Sequence, residues 1–470
     1  MVSLFGILNM GGQALAVNQE ATAVTGQNLA NVNNPAYADE QLQIQEATPL
    51  DTTSGQEGTG VEAVSITSLR DALLDSQIAS EDSVTGSLTS QQSALQQAEA
   101  YLNEDLSNTS NSSVASSSNG LTADISNLFS SLQTLSTDPS NISDRQAVVQ
   151  SAQELTEQFN QVSSGLDTVT SSLNSSIQSG VSASNQDLTQ IASLNQQIVA
   201  AQASGGSAEQ LVDEREQAIE NLSGYVNLTT SAQADGSVNI TIGGVTMVSG
   251  ETTPDSLATY TDSNGQLLVQ AQNAGTPLTL TGGSIEGSIT ARDGTIATLQ
   301  SSINTLATQL ISSVNQVYST GYDLNGNNSQ SQFFTGTDAS DIGVNTTVVN
   351  DPSTFQAAAT AGDPGDNTVV LEMANLANQS MSGLNNQTLS QNYSEAVGSF
   401  GSSLQSVNEQ LSSSTSVAQM LSTQRGSTSG VDTDTEMTNL LQFQKAYEAS
   451  AELVTTVNEM LQTVVNMKAD

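Results

Sequence analysis

Apolar positions at alternating spacings of three and four mark both ends of the chain. Ile7, Met10, Ala14, Val17, Ala21 and Val24 form one series. Leu440, Phe443, Tyr447, Val454, Val457, Leu461 and Val464 form the other, with Ser450 as its polar member. A period of 3.5 residues puts each series on one seam of a helix. Neither helix has neighbouring sequence that covers its seam. Each seam therefore needs a partner. One solution pairs the two ends in a coiled coil, over residues 1–45 and 432–470. The other docks two amphipathic helices on a globular body. Spacing alone allows both.

The middle of the chain is mostly helical in pattern. Val84, Leu88, Leu95, Ala98 and Leu102 share one face, and Leu121, Ile125, Leu128, Leu132 and Leu135 mark a second helix. Asp138-Pro139-Ser140 ends it, because Pro has no amide hydrogen and restricts the residue before it. One helix then runs through Val148, Ala152, Leu155 and Phe159, and a separate one through Leu188, Ile191, Leu194 and Ile198. Ser204-Gly205-Gly206-Ser207 interrupts the series, with Ser207 the expected N-cap of a helix through Leu211, Ile219 and Leu222. Near Tyr225 the period changes to two. Val238, Ile240 and Ile242 alternate with polar residues between the turn pairs Asp235-Gly236 and Gly243-Gly244. Short strands are expected to about Ile289. Ile296, Leu299, Ile303, Leu306, Leu310 and Val317 give a long helix, then a loop-rich stretch to Asp366, then two helices to about Gln424. Gly426 to Gly430 reads as a flexible joint. The expected fold is mainly α with an inserted β domain. It is an elongated multidomain protein with paired terminal helices. Its helical-bundle body spans 46–224 and 291–431, around a β domain at 225–290.

Composition narrows the function. The chain has 470 residues, enough for roughly three domains. Only 36% are hydrophobic and 3% aromatic, which suits thin helical bundles better than one thick core. Forty-eight acidic residues face 7 basic ones, a net charge of −41, yet charged residues total only 12%. Lys and Arg are depleted rather than Asp and Glu enriched. This charge argues against nucleic acid and against anionic membrane surfaces as partners. It also makes copies repel one another at neutral pH and low salt, which points to an acidic or saline medium. The chain has no Cys and no His. Disulfides, thiolate sites and Ser-His-Asp or Cys-His catalysis are thereby excluded. No apolar run reaches 18 residues, so no transmembrane helix is expected. The first basic residue is Arg70, so the start lacks the positive segment of a secretory signal peptide. The expectation is a cytosolic chain, or one exported without a cleaved signal.

Sequence motifs supply no catalytic, metal or cofactor site. Asp323-Leu324-Asn325-Gly326-Asn327 begins like a calcium loop, but Asn328 stands at its sixth position and Phe334 at its twelfth. It reads as a turn. No phosphate loop or G-x-S-x-G elbow occurs. Carboxylates abound without any pair being singled out, and the few aromatics argue against a sugar cleft.

The ends also carry recognisable signatures. Gln27-Asn28-Leu29-Ala30-Asn31-Val32-Asn33-Asn34-Pro35-Ala36-Tyr37 resembles the N-terminal signature of flagellar rod, hook and hook-associated proteins. Gly55 to Ile66, with Gly60-Val61, resembles the turn and strand that follow it. Gly430-Val431-Asp432, Glu436-Met437 and the run from Phe443 to Ala451 resemble the C-terminal counterpart. These ends are common to the whole axial group. The middle is more selective and resembles the hook-associated protein 1 family. The matching stretches are Asp138-Pro139-Ser140 with Arg145 and Phe159-Asn160, Leu211 to Arg215, and Gly282-Gly283-Ser284 with Arg292-Asp293 and Asn315. Gly321 to Gly326 and Gly365-Asp366-Asn367 complete the likeness. Rod and hook proteins have β-rich middles without these helices. Two departures stand out: Ala36 replaces the family's usual Gly, and Asp39 and Glu40 occupy the place of a basic residue.

The resemblance implies a mechanical role with no enzymatic activity and no cofactor. It implies a ring of about eleven copies between hook and filament. The implied neighbours are hook protein and the second hook–filament junction protein. The implied route is the flagellar type III export apparatus, with a cytosolic chaperone on the C-terminal helix beforehand. The implied location is extracellular, at the hook–filament junction, without membrane insertion. The alternatives are a distal rod or hook subunit, or a secreted surface adhesin using the β domain.

Overall fold

The computed structural model describes residues 4–52, 55–103 and 120–467. Helix α1 (Leu4–Ala30) leads through a turn into a long two-stranded ribbon. In the ribbon, β1 (Glu40–Glu46) pairs antiparallel with β4 (Val61–Ser68), from Glu40 opposite Ser68 to Glu46 opposite Val61. The tip strands β2 (Leu50–Thr52) and β3 (Gly55–Glu57) pair likewise. Asp71 then caps α2 (Ala72–Leu102), its carboxylate accepting from the amides of Leu73 and Leu74. That bond satisfies amides which a helix start otherwise leaves free.

Helix α3 (Leu121–Leu135) ends before Pro139, and α4 (Ile142–Ala203) follows. Here the expectation of two helices fails. Helix α4 is continuous for 62 residues, about 90 Å at the α-helical rise. Its serine-rich middle still buries Leu166, Val169, Leu173, Ile177 and Val181 along one stripe, so packing carries the helix across a polar stretch. Helix α5 (Glu209–Tyr225) is preceded by Ala208, with no side-chain cap, so Ser207 does not perform the expected N-cap role.

Strands β5 (Leu228–Ala232), β6 (Val238–Ile242) and β7 (Val245–Val248) form a three-stranded antiparallel meander. A separate hairpin comprises β8 (Leu257–Thr261) and β9 (Leu267–Ala271). Residues expected to extend this region as strand are helical instead. Helix α6 (Gly283–Thr290) passes through a π segment (Ala291–Ile296) into α7 (Ala297–Tyr318). Gly287 lets α6 lie against α2, since a Cβ there would overlap the Ser87 carbonyl. A short ribbon of β10 (Phe334–Thr335) and β11 (Gly343–Val344) follows, with α8 (Thr346–Asn350) and α9 (Thr368–Asn375). The Asp323 loop is a turn, its carboxylate accepting from the amides of Asn325 and Asn327. Helix α10 (Leu389–Thr428) opens with a capping box between Thr388 and Gln391, and α11 (Thr433–Met467) closes the described chain.

Two apolar cores hold the body. The larger joins α2, α3, the first half of α4, α7, α9 and α10. It includes the edge-to-face rings of Tyr318, Phe333, Phe334 and Phe355. Val84 is not part of it, being 42% exposed. The smaller core joins the second half of α4, α5, the β strands and Ile285. Asn195 of α4 locks that layer. It donates to the Val238 and Gly250 carbonyls and accepts from the Val238 amide and from Arg215.

Candidate assembly surface

The sequence leaves open where the terminal seams go. In the structure α1 and α11 pack antiparallel on each other, in the most extensive contact between any two elements. Gly11 sets the closest approach: a Cβ there would lie 2.7 Å from Val454 Cγ2 and 3.0 Å from Leu453 Cδ2. At the far end of the pair, the Asn28 side chain donates to Glu436 Oε2 at 3.1 Å. These contacts fix the register of a two-helix stem.

Within it Val17, Ala21, Val24 and Val457 are buried. Ile7, Met10, Ala14, Leu440, Phe443, Val454 and Leu461 are partly covered. Two seam residues are not enclosed. Tyr447 is 41% exposed, its inward place taken by Ala446. Val464 is 54% exposed because the antiparallel register carries it past Leu4, the first described residue of α1. Apolar surface on α11 also stays open to solvent. Leu453, Met460, Val464 and Met467 are exposed at spacings of seven, four and three residues.

The stem meets the body at a polar hub built on Asn28, which is buried four residues beyond Val24. Its amide nitrogen donates to Asp39 Oδ1 at 2.5 Å and to the Glu40 carbonyl at 2.9 Å, besides Glu436. Its oxygen accepts from the Tyr37 hydroxyl at 2.7 Å and the Glu40 amide at 3.1 Å. Burial, then the Glu436 carboxylate, pushes Asp39 up to about 6. Burial, then Asp213, Glu209 and Asp39, pushes Glu40 up to about 7. Tyr37 is raised well above its ordinary value, chiefly by burial. Arg70 ties the turn to the body, donating to the Ala36 carbonyl and to Asp213, both at 2.6 Å, and to Asp75 at 2.9 Å. The expected flexible joint is shorter and more anchored than its glycines suggest. Gly426 lies inside α10. Ser429 accepts from the Asp39 amide at 2.8 Å and donates through its hydroxyl to the Leu69 carbonyl at 2.9 Å.

Sequence marks Asp39 and Glu40 as departures but does not join them to Asn28, which continues the spacing Val17, Ala21, Val24. A polar side chain at a seam position was the available signal. Its partners come from two distant segments, Asp39 and Glu40 at the start of β1 and Glu436 in α11. Among the described residues no group of three or more His, Cys, Asp or Glu is placed to hold a metal ion. No described helix is long and apolar enough to cross a membrane.

Comparison with known proteins agrees with this architecture. Residues 422–467 match the family described as flagellar basal body rod FlgEFG protein C-terminal. That match falls on the second helix of the stem and places the likeness among flagellar axial proteins. Residues 107–334 match the flagellar hook-associated protein FlgK helical domain. The flagellar hook-associated protein 1 of Bacillus subtilis is 29% identical, over 99% of this chain and 99% of that protein. The protein of that name from Escherichia coli is 22% identical, over 98% of this chain and 100% of its own. Over its full length the chain is therefore similar to flagellar hook-associated protein 1. The solved flagellar hook junction protein FlgK of Burkholderia pseudomallei shares the fold. It has a TM-score of 0.64 and 16% identity, covering 75% of this chain and 100% of that one.

Proposed function

We propose that the chain is a structural subunit of the flagellum that forms the junction between hook and filament and is needed for filament assembly. The observation that carries this reading is the stem: two distant segments packed together, with apolar side chains of α11 left facing solvent. Exposed apolar side chains at heptad spacing suit further helix packing between copies. The proposed assembly is a ring of about eleven copies, closed by repeated head-to-tail contacts. Hook protein lies on one side and the second junction protein on the other. The subunit reaches that place outside the cell uncleaved, through the flagellar export apparatus. A cytosolic chaperone covers α11 before assembly. The seam residues of α1 and α11 serve as the assembly surface, and the role is mechanical rather than catalytic.

Electron microscopy of cells lacking the gene tests the reading. Hooks without filaments are expected, with filaments restored by the intact gene. Normal filaments on cells lacking the gene would refute it.

A further inference from the structure

We propose that the contact between stem and body is a proton-operated latch, closed when the carboxyls of the hub are protonated and loosened when they ionise. The inference rests on the stem described above.

The geometry puts carboxylates against each other where the two parts meet. Asp39 and Glu436, from the turn after α1 and from α11, both accept from the single amide nitrogen of Asn28. Glu40 is 5% exposed, and its Oε1 has no hydrogen-bond partner. The groups that act on it are all acidic: Asp213 and Glu209 from α5, and Asp39 beside it. A buried carboxylate oxygen without a donor is costly, and like charges around it add to the cost. A proton on Glu40 removes the charge and supplies a donor. A proton on Asp39 removes the repulsion across Asn28.

The nearest cation is already engaged. Arg70 binds Asp213, Asp75 and the Ala36 carbonyl. Arg425, at the end of α10, is held by Glu220 and lies 4.0 Å from Asp75. Among the described residues neither forms an ion pair with Asp39, Glu40 or Glu436.

The sign follows from the raised values. A carboxyl that binds its proton more tightly in the folded state favours folding most when protonated. That advantage is full below the ordinary carboxylate range. It is lost as pH rises through about 6 for Asp39 and about 7 for Glu40. The latch is therefore tight at pH 5 and loose at pH 8.

Hydrogen exchange of the full chain, expressed as protection factors, reads this directly. Protection of α1 and α11 amides is expected to fall about tenfold or more between pH 5 and pH 8, one unit of linkage being tenfold. Protection in the cores of α3 and α4 is expected to change far less. The double variant Asp39→Asn with Glu40→Gln keeps the shapes without the charges. It is expected to hold high stem protection at both pH values. Glu209→Gln, which leaves the stem untouched, is expected to shrink the fall. Equal stem protection at pH 5 and 8 in the native chain would overturn the latch while leaving the stem intact. An undiminished fall in both variants would also overturn it. Stem amides unprotected at both pH values would overturn the stem itself and the latch with it.

Discussion

Val457→Asp places a carboxylate inside the stem seam, where the valine is 5% exposed. The register set by Gly11 and Asn28 puts it opposite the early turns of α1, which hold Ile7. Losing the buried side chain costs about 1.5 kcal/mol, the low end for an aliphatic residue. The charge adds several kcal/mol when no partner pairs it. Protonation limits that second cost. Neutralising an ordinary aspartate at pH 7 takes about 4 kcal/mol, and at pH 5 about 1.5 kcal/mol. The total is therefore about 5.5 kcal/mol at pH 7 and about 3 kcal/mol at pH 5. A stem of two helices cannot absorb the larger figure, because short helices without packing are marginal in water. The expected result at pH 7 is loss of α1 and α11 protection in hydrogen exchange, with the melting temperature of the body unchanged. Cells carrying the variant are expected to lose filaments and motility. Thr456→Asp, one residue away on the exposed side, is the control and is expected to stay within about 0.5 kcal/mol. Full motility with Val457→Asp and unaltered stem protection would refute the seam as an assembly surface and as an intrachain contact. A fall in the body's melting temperature would show instead that the helix serves as part of the body.

Three further outcomes follow from the structure. Asn195→Ala strips partners from the Val238 amide, two carbonyls and Arg215, so calorimetry is expected to show a loss of about 3 kcal/mol or more in body stability; a neutral result would mean that water replaces the lock. Among the described residues trypsin is expected to cut the folded chain first at Lys445, whose side chain is 75% exposed, and slowly at all five arginines, which are buried or nearly so; early cleavage at an arginine, read by mass spectrometry, would contradict their placement. Self-association in sedimentation is expected to strengthen as pH falls from 8 toward 4 or as salt rises, because protonation and screening both relieve the repulsion of 48 carboxylates facing 7 basic groups; association unchanged across that range would refute the repulsion argument.

Sequence patterns reached those parts of the fold that rest on local periodicity. The heptads at both ends, the break at Pro139 and the change to period two near Tyr225 are all short-range signals. What they missed depends on distant contacts. The polar run within α4 hides the continuity of a helix whose buried stripe passes from the larger core at Leu173 to the smaller at Ile177. Gly426 suggests a joint, yet α10 continues through it to Thr428. Asn28 is legible as an exception in its seam, but not as a hub, because Glu436 lies 408 residues away. The arginines are the clearest case. The sequence shows a near absence of basic residues and nothing of why these five remain. Arg70, Arg145, Arg215, Arg292 and Arg425 each bridge separate segments, Arg145 between the Pro139 and Phe355 carbonyls and Arg292 onto Asn174. Depletion has spared the cations that join elements.

The hydrogen bond from Asp39 to Ser429 also bears on the order in which the molecule forms. Bringing α1 to α11 in an unfolded chain means closing a loop of about 400 residues. Once the body has folded, that bond site holds the roots of both helices side by side, and the loop left to close is about 12 residues. The difference in closure entropy is about 3 kcal/mol. The stem is thus a late event, inexpensive only after the body exists, and its two strands stay free to find other helices until then.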